Sequence, residues 1–155
     1  MLQNLFQKQL MMRRVVYSLV PIFLFSIYLY GWRVLAICVV VFTLGIVTEW
    51  LFERRRGKKV SEAVLVTCSL FALSLPPATP LWIAGIGIIF GVAIGKEIYG
   101  GFGRNVFNPA ITGRLFIYIT FATALSESWM VAGAFGTAGQ AGVDAITAAT
   151  PLTAM

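Results

Sequence analysis

The sequence contains no histidine, and cysteine is nearly absent. Without an imidazole, haem ligation by histidine and histidine-based catalysis are excluded within this chain. Cys38 and Cys68 both lie inside apolar runs, and neither has a second ligand nearby. We interpret them as small buried hydrophobic side chains rather than as a disulfide or a metal pair, so the sequence predicts no metal site.

Charged side chains are also scarce. They make up 12% of the chain, whereas soluble domains average about 25%. Hydrophobic residues make up 59% of the sequence, and its mean hydropathy is +0.86. The composition therefore predicts an integral membrane protein surrounded by lipid. The net charge of +6 does not indicate nucleic-acid binding, because the basic residues cluster between apolar segments and form no binding face.

Five apolar stretches are candidates for membrane spans, each of which needs roughly 20 residues. Because the first is long and runs straight into the second, it is not a cleavable signal peptide. The sequence predicts an all-α bundle of five transmembrane or partly re-entrant helices, with a cytoplasmic arm at residues 1–14, a membrane domain at 15–125 and an outer segment at 126–155. The predicted spans are Val15–Trp32, Val34–Phe52, Val60–Leu75, Leu81–Tyr99 and Pro109–Leu125.

Two of these spans are weak. The third is apolar only from Ala63 to Leu75, and the fifth starts with Asn108-Pro109 and carries Arg114. Short or interrupted spans are typical of broken helices whose ends bind ions or substrates. A tilted helix or one buried in protein explains the same pattern, and both interpretations stay open.

The positions of lysine and arginine predict the orientation. Arg33 alone lies between the first two spans, and every other basic residue falls on the opposite side of the predicted bundle. Positive charge favours the cytoplasmic side, so the N-terminus is predicted to be cytoplasmic and everything after Leu125 to be on the outer side. The remaining basic residues are Lys8, Arg13, Arg14, Arg54, Arg55, Arg56, Lys58, Lys59, Lys96, Arg104 and Arg114. Trp32, Trp82 and Trp129 fall at outer span ends, where interfacial aromatic residues are expected.

Glycines mark two features around the fourth span. Gly87, Gly91 and Gly95 recur every four residues, which predicts close helix packing or, alternatively, a flat cofactor against the bare face. A glycine-rich loop follows, and Asn108 before Pro109 suits the start of a new helix. The loop could bind an anion or could be a purely structural re-entrant segment. Its candidate residues are Gly101, Gly103, Arg104, Asn105, Asn108, Pro109 and Arg114.

Glu49, Glu62 and Glu97 are acidic residues near the membrane, and Glu127 lies near the outer end. Acids at membrane depth are candidates for functional sites. Glu49 and Glu62 also flank the basic loop at residues 54–59, and Glu97 lies beside Lys96, so interfacial ion pairs explain them equally well. The sequence assigns no ion pathway to them.

The most specific motif lies near the end of the chain, where Asp144, Thr147, Ala149 and Thr150 form the pattern Asp-x-x-Thr-x-Ala-Thr. It follows the turn Leu75-Pro76-Pro77 and the run from Gly103 to Ala110, Gly-Arg-Asn-Val-Phe-Asn-Pro-Ala. These three features, in this order, resemble the NqrB/RnfD family of membrane subunits. The resemblance extends over nearly the whole chain, from about Met12. Relatives have about ten spans in two related halves, so the chain resembles the first half of a duplicated architecture.

The resemblance implies a covalent cofactor. FMN would be joined to the Thr150 hydroxyl through a phosphoester made by a Mg-dependent flavin transferase acting on the outer face. Asp144, Thr147 and Ala149 would complete the motif read by that enzyme. Ala148 stands where the family often has glycine, which is a departure from the pattern. The resemblance leaves open a second, noncovalent flavin.

The implied function is electron transfer in a redox-driven complex that moves Na⁺ or H⁺ across the prokaryotic cytoplasmic (inner) membrane, with iron–sulfur and flavin subunits as partners. The chain alone is not assigned an enzyme activity. Because the arm before the first span is short, we expect the Rnf type, a ferredoxin:NAD oxidoreductase. The alternative is the NqrB type of the sodium-pumping NADH:quinone reductase. A membrane permease or channel with broken helices is the alternative from another class.

Overall fold

The computed structural model describes residues 6–7 and 10–129. This part of the chain is mainly helical, which confirms the all-α class. Its helices are α1 (Leu10–Tyr30), α2 (Trp32–Arg55), α3 (Ala63–Ser74), α4 (Leu81–Val92), α5 (Pro109–Thr120) and α6 (Ala122–Ser126), and a π-helical segment (Ala93–Glu97) extends α4. Two short strands, β1 (Phe6–Gln7) and β2 (Val60–Ser61), form a single parallel pair in which Phe6 lies opposite Val60.

The helices α1 and α2 are long and apolar enough to cross a membrane, as predicted. Gly31 alone separates them, and its φ of 70° is a conformation that suits glycine. Helix α1 begins at Leu10, not at the expected Val15. The extra turn carries Arg13, whose Nη2 lies 2.6 Å from Glu62 Oε1. This ion pair compensates the charge of Arg13 within the helix.

The third and fifth predicted spans form shorter helices than expected. Helix α3 starts at Ala63 because Val60–Ser61 is extended and pairs with β1. Helix α5 ends at Thr120 because Phe121 leaves the helical region with φ −126° and ψ 44°, and the separate helix α6 follows. Each of α3 and α5 has 12 residues. At about 1.5 Å per residue they fall well short of the roughly 30 Å hydrocarbon core, which favours the broken-helix interpretation.

Helix α4 lies at the centre of the bundle and packs against α2, α3 and α5. The core around it contains Ile83, Ile88 and Val92 from α4 itself, all with no exposed surface, together with Phe71 and Ile117 from its neighbours. In contrast, α1 lies at the edge and exposes many apolar side chains. Helix α3 is therefore largely buried in the bundle, whereas α1 and the outward face of α5, with Ile111, Leu115 and Ile119, present apolar side chains to the surroundings.

The ion pairs of Arg13 and Arg56 and the segment that carries Trp129 lie at opposite ends of this bundle. At one end, Arg56 contacts Glu97 and Arg13 contacts Glu62, which brings the arm, the basic loop and the glycine-rich loop together. At the other end, the amide of Ala78 donates to the Ser128 carbonyl at 3.1 Å, joining the Pro76–Pro77 turn to the segment before Trp129. We refer to these as the basic end and the tryptophan end.

Candidate functional site

The bare glycine face of α4 is filled by helix α5 and by Phe71. A methyl group added at Gly91 would lie 2.5 Å from the Pro109 carbonyl oxygen, and one at Gly87 would lie 2.7 Å from the Phe71 ring. Gly113 of α5 approaches α4 as closely, since an added methyl would lie 2.5 Å from the Gly87 carbonyl oxygen. The predicted close packing is therefore correct. The alternative of a flat cofactor on this face is wrong, because the backbone of α5 occupies the space.

The glycine-rich loop connects the π segment to α5. Gly100, Gly101 and Gly103 have φ values of 110°, 89° and 84°, which side chains rarely adopt. Gly101 also lies directly against a carboxylate oxygen of Glu53, where any side chain would collide. The loop ends at Asn108, whose Oδ1 accepts a hydrogen bond from the Ala110 amide at 3.0 Å. This confirms the predicted cap at the start of α5, with Pro109 in the first turn.

The loop's polar side chains take separate positions. The Asn105 amide donates to the Phe107 carbonyl at 3.0 Å, and the Arg104 side chain lies alongside Gly100. Arg114 is exposed in the second turn of α5. Because Asn108 already satisfies one amide of the helix start, the geometry gives the structural role of the loop direct support. Anion binding at this loop stays a prediction.

A buried group of polar side chains, which we call the charge cluster, joins α2, β2 and the π segment. Lys96 is 2% exposed, and its ammonium donates to Glu49 Oε2 at 2.6 Å and to Ser61 Oγ at 2.7 Å. Ser61 in turn donates to Glu49 Oε1 from its hydroxyl, at 2.6 Å, and from its amide, at 2.8 Å. Glu49 is fully buried. A buried ion pair with these additional hydrogen bonds is well compensated for leaving water.

The charge cluster continues through Arg56, Glu97 and Glu53. Arg56 Nη1 lies 3.1 Å from Glu97 Oε2 and 4.0 Å from Glu53 Oε1, and its Nη2 also donates to the Glu97 carbonyl. The expected interfacial ion pairs exist, but all three partners differ from the expectation. Glu97 pairs with Arg56 of the basic loop rather than with its neighbour Lys96. Glu49 pairs with Lys96 of the π segment, and Glu62 pairs with Arg13 of α1, because folding places those cations closer than the basic loop.

Two clefts open near the charge cluster. The polar cleft has a volume of about 480 Å³ and is lined by Glu53, Lys58, Lys59, Ser61, Gly100 and Phe102. The second cleft, of about 270 Å³, lies between the start of α3 and the loop before α5. Lys96 reaches the wall of this second cleft. Both clefts belong to the basic end of the bundle.

Sequence reasoning did not predict the charge cluster. Lys96 and Glu97 are neighbours in sequence, and in a regular α-helix such neighbours diverge by about 100°. The π segment is wider, with hydrogen bonds from the Ile98 amide to the Ala93 carbonyl and from the Gly101 amide to the Lys96 carbonyl. Both side chains therefore lie in the interior. The signal in the sequence that could have indicated the cluster is the charged pair Lys96-Glu97 directly after an apolar, glycine-rich helix.

The residues of the predicted flavin motif, Asp144, Thr147, Ala149 and Thr150, lie outside the described residues. No group of three or more histidine, cysteine, aspartate or glutamate residues that could hold a metal ion occurs within residues 6–7 and 10–129.

A model of the family described as "NQR2, RnfD, RnfE family" matches residues 3–155. The chain belongs to this family. The match includes the Asp144–Thr150 motif as well as the described bundle, so the resemblance carried by the motifs is correct. The family is associated with flavin and with multi-subunit membrane complexes, and a membrane location follows from it.

Similar curated proteins are named as the NqrB subunit of a Na⁺-translocating NADH-quinone reductase. The protein from Chromohalobacter salexigens is 44% identical over 120 residues, which cover 72% of this chain and 29% of the relative. The one from Haemophilus influenzae (strain PittEE) is 45% identical over 103 residues, covering 65% and 25%. The one from Chlamydia caviae is 42% identical over 108 residues, covering 68% and 22%. The chain thus spans less than a third of these relatives' length.

These names bear on the choice between the two types. The expected Rnf type is supported only at the level of the family, whereas the relatives carry the name of the alternative type. The short arm before α1 was therefore a poor guide to the subfamily. Membership of this family also favours electron transport over the permease interpretation.

Proposed function

We propose that this chain is part of a membrane subunit of the NqrB type in a Na⁺-translocating NADH:quinone reductase, and that it carries FMN covalently at Thr150. The observation that carries the proposal is the family match over residues 3–155, which includes the Asp144–Thr150 motif. The names of the similar proteins support the NqrB type over the Rnf type.

The residue types suit the attachment. The threonine hydroxyl is a nucleophile that can form a phosphoester with the FMN part of FAD, breaking the pyrophosphate bond and releasing AMP. Asp144 and Thr147 stand at the motif positions that the flavin transferase would read. The small side chains of Ala148 and Ala149 leave space for a bulky group beside Thr150. When bound, FMN supplies one-electron transfer, and the protein supplies its position and electrostatic surroundings.

The described bundle supports an outer-face position for Thr150. The segment before the motif ends at the tryptophan end of the bundle. There the hydrogen bond from the Ala78 amide to the Ser128 carbonyl holds it next to the Pro76–Pro77 turn. The basic loop lies at the other end, where Arg56 and Arg13 make their ion pairs. If the basic end is cytoplasmic, Trp129, the last described residue before the motif, lies on the outer side, where the transferase would act.

A fluorescence experiment tests the attachment. We expect the wild-type chain, co-expressed with its flavin transferase, to fluoresce in a denaturing gel, because a phosphoester survives denaturation. The Thr150→Val variant should lose this fluorescence, while Thr147→Val and Thr153→Val should retain some. Fluorescence that persists in the Thr150 variant would disprove the assignment.

The proposal also requires partner subunits. Helix α1 exposes apolar side chains over most of its length, among them Tyr17, Leu24 and Tyr28. Lipid or another subunit would cover this face. Purification from native membranes in mild detergent should recover further electron-transfer subunits, including iron–sulfur and flavin proteins. An isolated, monodisperse chain with full electron-transfer activity would contradict the proposed assembly.

A further inference from the structure

The charge cluster contains one more negative than positive group. Glu49, Glu53 and Glu97 are 0%, 5% and 0% exposed, and the cations that contact them are Lys96 and Arg56. Lys96 forms its ion pair with Glu49, so Arg56 is the cation that lies near both Glu53 and Glu97. With all five groups ionised, the cluster would bury one uncompensated negative charge, which is costly away from water.

Two carboxylate oxygens locate the surplus charge. Glu53 Oε2 and Glu97 Oε1 are both buried and have no hydrogen-bond partner among the described residues. Both Glu49 oxygens accept hydrogen bonds from Lys96 or Ser61, and Glu97 Oε2 lies 3.1 Å from Arg56 Nη1. Glu53 Oε1 lies 4.0 Å from the same nitrogen. The side chain of Arg56 is 31% exposed, so its charge is partly screened by solvent and compensates less than the buried Lys96 does.

We propose that Glu97, whose buried carboxyl group shares the Arg56 guanidinium with Glu53, is a proton-binding site that holds a proton at neutral pH. Two carboxylates that share a low-dielectric site and a single cation cannot both ionise cheaply, and Glu97 is the one with no exposed surface. Binding the proton makes the cluster neutral, with three carboxyl groups carrying two negative charges against two positive ones. Releasing it leaves a net charge of −1.

The polar cleft gives the site a route to water. Glu53 and Ser61 line the cleft together with Gly100, and Lys58 and Lys59 stand at its wall. A released proton would leave through this cleft at the basic end. The same geometry disfavours a metal cation, because the Arg56 guanidinium already lies against both carboxylates and the lysines repel cations at the entrance.

The charged and polar groups around the pair come from several elements. Helix α2 with its C-terminal cap contributes Glu49, Glu53 and Arg56, the π segment contributes Lys96 and Glu97, and β2 contributes the neutral Ser61. Lys58 and Lys59 line the polar cleft with Glu53, but both are exposed, so solvent screens their charges. Arg104 lies alongside Gly100 in the glycine-rich loop. A π segment inside a helix often marks a functional site, and here it turns Lys96 and Glu97 inward together.

The site is tested by infrared difference spectroscopy on the protein purified from its native membrane with its bound subunits. Wild-type protein should show a protonated carboxyl band at neutral pH that disappears at alkaline pH and shifts when the glutamate carboxyl is isotopically labelled. Glu53→Gln and Glu97→Gln should each lose this band, because either substitution leaves the cluster neutral without a bound proton. Glu127→Gln, which changes an exposed glutamate, is the matched control and should keep it.

A third variant tests in which direction the nearby cation shifts the pH at which the band disappears. Arg56→Gln removes the cation beside both carboxyls, so the band should persist to higher pH than in the wild type. If one of the two glutamine variants does not fold, loss or retention of the band in the other still tests the site. The labelled wild-type spectrum shows by itself whether a glutamate carboxyl is protonated at neutral pH. Absence of a titrating glutamate band overturns the proposal. Loss of the band on adding Na⁺ at constant pH also overturns it, since the pair would then be a metal-cation site. The inference does not depend on the flavin, so this experiment and the gel assay fail independently.

Discussion

At the scale of single residues, Lys96 depends most on its surroundings. Its ammonium is buried between Glu49 and Ser61, with donor–acceptor distances of 2.6 and 2.7 Å. The attraction between these groups offsets the cost of burying charge only while both partners are present. The pair therefore gives little net stability compared with an apolar replacement, but each half is essential to the other.

This asymmetry predicts the behaviour of single and double variants. Lys96→Met should lower the free energy of unfolding by about 3–5 kcal/mol, because it leaves the Glu49 carboxylate buried without its cation. Adding Glu49→Gln should recover part of the loss. Thermal unfolding in detergent measures both effects, with Glu127→Gln as a surface control. Equal stability of the Lys96 variant and the control would contradict the buried pair.

Residue-level prediction from the sequence succeeded for local chemistry and failed for partners. Asn108 as a helix cap follows from its own position before Pro109, and the structure confirms it. The ion pairs of Glu49 and Glu62 were predicted in kind, yet their partners, Lys96 and Arg13, lie 47 and 49 positions away. Such pairing depends on how the helices fold together, which a sequence pattern does not contain.

At the scale of elements, the packing of α4 against α5 is controlled by glycine. Gly91 faces the Pro109 carbonyl oxygen, and Gly95 faces the Pro109 Cα, where an added methyl would lie 3.0 Å away. Phe90 and Phe116 stack beside this contact, with ring centroids 3.9 Å apart. The bare glycine surface lets two helix backbones touch, which is the usual basis of tight packing in membranes.

A single methyl group should disturb this contact. Gly91→Ala would place a methyl 2.5 Å from a backbone oxygen that has no alternative rotamer, so the helices must separate. We expect a loss of about 1–3 kcal/mol in unfolding free energy, typical of overpacking. Ile94→Ala, on the exposed side of the same helical segment, serves as the control and should cost less. The unfolding midpoint in detergent provides the measurement, and equal midpoints would contradict the packing.

The elements were predictable where a strong local signal marks their ends. Gly31 separates the first two helices, and Pro76–Pro77 follows the end of α3, as the sequence predicts. The break at Phe121 and the π segment at Ala93–Glu97 carry no such signal. Phenylalanine is common in apolar helices, and the contacts of Lys96 and Glu97 that accompany the π segment are made with distant residues.

At the scale of the whole molecule, the separation of charge predicts how the bundle lies in the membrane. The ion pairs of Arg13 and Arg56 gather the basic segments at one end, and Trp129 lies at the other. Positive charge near span ends favours the cytoplasmic side. The orientation itself stays a prediction, since the family match gives a membrane location without a direction.

Cysteine labelling tests that orientation. In a background with Cys38 and Cys68 replaced by alanine, Lys58→Cys should resist an impermeant thiol reagent in intact cells and react after the cells are opened. Glu127→Cys should react in intact cells, because this exposed residue lies at the tryptophan end. Labelling of position 58 in intact cells, with position 127 protected, would reverse the topology.

The claim that this chain carries a covalent flavin is tested most directly by mass spectrometry of its peptides. The chain should be co-expressed with the flavin transferase, digested, and searched for the peptide that contains Thr150. We expect this peptide to carry the mass of one phosphoester-linked FMN, with fragment ions that assign it to Thr150 rather than to Thr147 or Thr153. An unmodified Thr150 peptide from fully transferase-exposed protein, or FMN located on another residue, would contradict it.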